Sequence, residues 1–183
     1  MKKFLTLIGI AAASIAYSQG VLVLNNYSGY DFHGNLLASN LTNCLPMVMN
    51  RDPDPIKVPA NANMGNGNAL VIKDYQIQYT SSLYPISSWN VTLTQGNTTA
   101  TSWDDASLVL GGSISNNTKW ITSKFAMYFP GTNNQVPGFN YSIGDATPNT
   151  CYTSTDYILD PNGEVEWFTI STGGTMVTYL QIF

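Results

Sequence analysis

Charge is what this sequence has least of: Asp, Glu, Lys and Arg make up 10% of its 183 residues, against about a quarter in an ordinary soluble domain. Cations are the scarcer sign, with seven Lys and Arg against eleven Asp and Glu. Nucleic acid and anionic membrane surfaces both need a clustered basic footprint, so neither is expected as a partner. Histidine is limited to His33, and glutamate to Glu164 and Glu166. A Ser-His-Asp or Cys-His triad would have to run through His33, and zinc would have to recruit carboxylates around it. No Gly-x-Ser-x-Gly elbow, His-Glu-x-x-His pair or Walker loop is present. A lone histidine in a strand-like stretch reads as structural, so the expectation is a non-enzymatic protein.

Long apolar runs are also missing. The longest, residues 4–13, falls short of the roughly 20 residues that span a bilayer as a helix, so no transmembrane segment is expected. Lys2 and Lys3 precede that run, and Ala16-Tyr17-Ser18 places small residues where a signal peptidase reads them. The three-part pattern predicts a signal peptide over residues 1–18, cleaved before Gln19, and resembles the leaders of Gram-negative bacteria. No Cys stands at the cleavage point, so an N-terminal lipid anchor is not expected. The mature chain, residues 19–183, has the size of one domain. Losing Lys2 and Lys3 leaves five cations against eleven acids, a net charge of −6. The expected location is extracellular or periplasmic.

Two cysteines remain, Cys44 and Cys151. In an oxidising compartment an even pair predicts one disulfide. Its long loop would contribute up to about 4–5 kcal/mol by chain entropy. Two buried free thiols are the alternative, because sequence alone does not bring the Cα atoms within bridging distance.

What the chain does have is two-residue alternation broken by Gly, Pro, Asn and Ser. Strands are expected at residues 21–24, 30–37, 56–58, 89–94, 106–110 and 120–129. Another is expected over residues 70–80, with Val71, Tyr75, Ile77 and Tyr79 on one face and Asp74, Gln76 and Gln78 on the other. Residues 165–171 and 175–183 read as a hairpin through Thr172-Gly173-Gly174. No window of helical length carries a 3.6-residue stripe. The pattern predicts an all-β fold, a single antiparallel β-sandwich of about 8–10 strands, with jelly-roll or immunoglobulin-like order left open. Two stretches, residues 50–68 and 130–149, read as long loops and hence as candidate binding surfaces.

Aromatics are the richest resource, with 4 Trp, 11 Tyr and 7 Phe. Tyr27, Tyr30, Tyr84, Trp103 and Tyr141 sit near turns, where their faces could stack on sugar rings. Trp89, Trp120 and Trp167 have apolar strand neighbours and are expected in the core. Asp160, Asn162 and Glu164 flank Gly163 and offer oxygen ligands for calcium. The same residues also suit a hairpin turn with a left-handed glycine. Glu164 and Glu166 share one strand face about 7 Å apart. That spacing would admit a carboxylate pair for glycoside hydrolysis, although an exposed hairpin face explains it equally well.

The C-terminal strand ending in Phe183 resembles the closing strand of outer-membrane barrels. Its outward set of Gln181, Tyr179, Val177 and Thr175 is only half apolar, so a barrel is not expected. The opening Val21-Leu22-Val23-Leu24-Asn25-Asn26, followed by Gly29-Tyr30, resembles the first strand of aegerolysin-type lytic sandwiches. No motif or site residue is carried over from it. The function expected is surface recognition of glycan or protein. A structural or adhesive component, a membrane-active sandwich and a Glu164/Glu166 hydrolase are the other classes.

Overall fold

Alternation broken by turn residues becomes a β-rich fold in the computed structural model, which describes residues 20–146, 151–172 and 174–183. The expected signal peptide lies outside the described residues. Among the described residues twelve strands follow in order: β1 (Val21–Asn26), β2 (Asp31–Ser39), β3 (Met47–Asp52), β4 (Ile56–Val58), β5 (Leu70–Ile72), β6 (Ser88–Thr94), β7 (Asn97–Ser102), β8 (Lys119–Tyr128), β9 (Gln135–Gly144), β10 (Tyr157–Asp160), β11 (Gly163–Thr172) and β12 (Thr175–Ile182). Two five-residue helices interrupt them, α1 (Ile77–Ser81) before β6 and α2 (Ser113–Asn117) before β8.

The strands form two sheets. One has five strands in the order β10-β11-β12-β1-β5, and the other seven in the order β7-β6-β3-β2-β8-β9 with β4 also on β2. Neither order closes on itself. Strand pairings are antiparallel except β1 with β12, which run parallel. The β11–β12 hairpin forms as its sequence predicts, with Trp167 opposite Leu180.

Inward positions of both sheets meet in one apolar cluster: Leu22, Leu24, Trp167 and Leu180 from the first, and Phe32, Leu36, Trp89 and Phe125 from the second. Trp89, Trp120 and Trp167 are all buried. Tyr75 lies edge-on to Trp89 and Trp120, with ring centroids 5.1 and 5.8 Å away. Its hydroxyl shares a hydrogen bond of 2.8 Å with Thr118, and its carbonyl accepts from Trp89 Nε1. Burial pushes that hydroxyl far above the ordinary tyrosine range. Gly34 is required where Phe32 and Phe125 stack at 5.4 Å. A Cβ there would lie 2.4 Å from Phe32 Cζ and 2.7 Å from Phe125 Cβ.

The chain passes from one sheet to the other between β1 and β2, and buried Asn26 organises the passage. Its Nδ2 donates to the carbonyls of Tyr30 at 2.7 Å and Pro59 at 2.8 Å, and its Oδ1 accepts from Ser28 N and Oγ. Asn50 does the same where β3 leaves β2, accepting from Leu36 N and donating to the Pro53 carbonyl.

Four sequence expectations change. Residues 70–80 are not one strand: β5 stops at Ile72, and Asp74 Oδ1 accepts from Gln76 N and Ile77 N, turning the chain into α1. Gln78 is then buried, bonding Ile86 N and the Tyr84 carbonyl. Residues 106–110 are not a strand, since Ala106–Leu108 form a 3₁₀ turn capped by Asp105. Residues 130–149 are not a long loop, because β9 occupies much of that stretch. The described residues form twelve strands instead of the 8–10 expected, while residues 50–68 keep their expected short strand as β4, with the end of β3 and a 3₁₀ turn over Met64–Asn66 beside it. Cys44 and Cys151 form the expected disulfide, with Cα atoms 5.2 Å apart across a sequence separation of 107.

Candidate binding groove on the seven-stranded sheet

Alternation in β2 and β8 sends Phe32, Leu36, Phe125 and Met127 inward and leaves the intervening residues outward. Register then assembles an outer face that no single segment reveals. His33 stands opposite Ala126, and Asn35 opposite Lys124. Asn140 and Ser142 of β9 continue the same rows beside Ala126 and Lys124. Lys57 of β4 stands on the other side of His33. The result is an open groove of about 680 Å³ whose lining includes His33, Asn35, Lys124, Asn140, Tyr141 and Ser142.

The His33 ring stacks on Tyr128, with centroids 4.1 Å apart and planes 20° from parallel. Burial, and then the charge of Lys57, hold the imidazole below its ordinary value of 6.5, while Asp31 opposes them. The packing therefore favours the neutral ring over the imidazolium. Asn35 Nδ2 donates to Asp54 Oδ1 at 2.9 Å, which fixes one wall. Tyr141 donates to Asp160 Oδ2 at 2.5 Å. This bond holds the Asp160 carboxyl below its usual range and raises the Tyr141 hydroxyl.

The disulfide shapes the neighbouring part of this face. Residues 151–155 run from the edge of β9, where Thr155 bridges Ile143, across Thr122 and on to Met47. Ser154 Oγ lies 3.4 Å from Thr122 Oγ1, and the Tyr152 hydroxyl meets Met47 Sδ at 2.8 Å. Thr122 precedes Lys124 by two residues, and Met47 precedes the groove residue Met49 by two. The strap therefore covers the outer face next to the groove, with Cys151 pinned to Cys44.

The five aromatics singled out by sequence do not form one platform. Tyr27 stacks on Phe183 at 5.3 Å, and Trp103 on Tyr79 at 4.7 Å. Tyr84 packs on the core with its hydroxyl on the Asn68 carbonyl. Tyr30 and Tyr141 share Phe139 as a neighbour, at 6.3 and 6.2 Å. Of the five, Tyr141 alone lines the groove. Asp160 and Asn162 build the β10–β11 turn: Asp160 pairs with Gly163, and its Oδ1 accepts from both Asn162 nitrogens at 2.9 Å. Glu164 hydrogen-bonds the Tyr157 hydroxyl and raises its pKa, with Glu166 adding to the shift. Among the described residues no group of three or more His, Cys, Asp or Glu could hold a metal ion.

Sequence reasoning missed the groove's Asn140, Ser142 and Lys124. The alternation around Lys124 was legible, but β9 carries Pro137 and Gly138, which read as loop. Chemically the groove offers amide, hydroxyl and ammonium groups beside a flat aromatic stack, a set suited to hydrogen bonding and stacking recognition. No known protein family, curated protein or solved structure matches this chain. Among the described residues no helix is long and apolar enough to cross a membrane.

Proposed function

We propose that this is a secreted, non-enzymatic β-sandwich that recognises glycan through the groove on its seven-stranded sheet. The sandwich reading is supported by the one apolar cluster to which both sheets contribute. Export is supported by the leader and by the Cys44–Cys151 pair. The observation that carries the recognition reading is the groove itself, with Asn35, Lys124, Asn140 and Ser142 presented beside the His33–Tyr128 stack. Pyranose rings offer C–H faces to aromatics and hydroxyls to amides and ammonium groups. The test is a glycan screen on residues 19–183, followed by titration of any ligand found. Asn140→Ala and Lys124→Ala should each weaken binding at least tenfold. Finding no glycan ligand, or full affinity in both variants, would overturn the reading.

A second reading, membrane activity, has its own observation. On the outer side of the five-stranded sheet, Leu159 is 74% exposed, Tyr157 47%, Ile170 44% and Phe168 37%. Phe168 also stacks on Tyr179 at 5.1 Å. Exposed apolar surface of this kind marks protein or membrane contacts. Dye release from neutral-lipid vesicles, abolished by Phe168→Lys, would favour this reading over the first.

A further inference from the structure

Among the described residues each sheet order ends in two strands, and three of these four end strands carry a recognisable guard against pairing with another strand. At the outer edge of β9, Pro137 interrupts the strand, and Thr155 bridges Ile143. Strand β10 is four residues long, and its last residue, Asp160, is tied to Tyr141 of β9. Strand β5 is three residues long and is followed by exposed Lys73.

Strand β7 has no such device within its own length, and the nearest charges are exposed Asp104 and Asp105 beyond Trp103. It runs six residues, Asn97-Thr98-Thr99-Ala100-Thr101-Ser102, without charge, proline or glycine, and every residue except Thr101 is exposed. It ends the sheet order, with β6 on one side and, among the described residues, no strand on the other. The register irregularity of this hairpin lies in β6, between Thr92 and Thr94, so β7 itself stays regular. Beside it, a cleft of about 220 Å³ is lined by Val91, Leu93, Thr99 and Ile114, and Leu93 is 60% exposed.

We infer that β7 is a self-association edge, pairing antiparallel with β7 of a second copy across a twofold axis. Asn97, Thr99 and Thr101 face the cleft, so Thr98, Ala100 and Ser102 face the other way. Opposed residues must share a face, so the axis passes through Thr99 or through Ala100. With Thr99 at the axis, Thr98 meets Ala100 of the second copy and Asn97 meets Thr101. Neither register opposes like charges, which usually prevent an edge from pairing with itself. The strand is rich in β-branched threonine, which favours sheet addition. This association is independent of the groove, whose lining comes mainly from β2, β3, β8 and β9 of the same sheet and includes no β7 residue.

Sedimentation velocity on residues 19–183, from low micromolar to about 1 mM, reads the association directly. The expected result is a monomer–dimer equilibrium that Ala100→Lys weakens at least tenfold and Leu159→Lys, on exposed β10, leaves unchanged. Thr98→Lys is a second edge variant should Ala100→Lys not fold, as judged by its thermal melt. Amide exchange at residues 97–102 should slow as concentration rises. A monomer across the whole range would overturn the inference. So would a dimer dissociated by Leu159→Lys but not by the edge variants, because it would place the contact on the other sheet.

Discussion

His33 packs against Tyr128 on one side and stands opposite Lys57 on the other, so its protonation reports on both. Burial comes first among the causes of its lowered pKa, Lys57 second, and Asp31 acts in the opposite sense. A folded pKa below the unfolded value of 6.5 means that the unfolded chain takes up this proton first as pH falls. Stability from this group is thus undiminished above 6.5, declines between 6.5 and the folded pKa, and is constant below that. Because His33 is the sole histidine, one imidazole resonance followed by NMR gives its midpoint without assignment. That midpoint is expected below 6.5, shifting up in Lys57→Gln and further down in Asp31→Asn. A wild-type midpoint at or above 6.5 would contradict the packing described for this ring. His33 was legible as a strand residue, but its neighbours were not. Tyr128 and Lys57 reach it through pairing registers between segments far apart in sequence.

Elements were legible where burial has a clean period of two and obscure where side-chain hydrogen bonds override it. Burial alternates over residues 31–36 of β2, 123–128 of β8, 164–168 of β11 and 178–182 of β12, as their sequences do. The stretch from Leu70 also alternates, yet Asp74 and Gln78 take backbone partners and convert its second half into α1. In β9 the buried residues are Val136, Phe139, Ile143 and Gly144, not a period-two set. The register irregularity between Ala126 and Tyr128 on β8 puts Val136 out of phase with Phe139, so no alternation reaches the sequence. The β1–β2 passage depends on the same kind of side-chain bond. Asn26 is fully buried and supplies donors to Tyr30 and Pro59 and an acceptor to Ser28. Asn26→Ala strands those groups away from water, each at about 1–3 kcal/mol. The expected loss of about 2–4 kcal/mol is read as a lower urea midpoint with an unchanged slope. Ser28→Ala, which removes one hydroxyl, should cost less. An Asn26→Ala midpoint equal to wild type would show that water reaches this passage.

Taken as one molecule, the protein has little charge to spend on ion pairs, so its long-range constraints come from the shared core and from one covalent link. The Cys44–Cys151 bond joins the β2–β3 connection to the segment between β9 and β10, with 107 residues of separation. A loop of that length gives the bond a chain-entropy contribution of about 4–5 kcal/mol, exerted mainly on the unfolded state. Cys44 and Cys151 themselves are only half-buried, so replacing both with Ala opens no large cavity in the core. The double variant should keep the far-ultraviolet spectrum of the folded protein while losing about 2–5 kcal/mol against urea. Its native-state effect should be local: residues 151–155 are held to the sheet by Thr122, Met47 and Thr155 contacts of modest strength once the link is gone. Amide exchange should therefore rise in that strap and along the adjoining Ile143–Gly144 edge, and stay unchanged in β1 and β12. If the groove binds glycan as proposed, affinity for that glycan should fall in the same variant, because the strap covers the face immediately beside Met49 and Lys124. Accelerated exchange throughout both sheets would instead mean that the link holds the folded sheets together, beyond its effect on the unfolded chain.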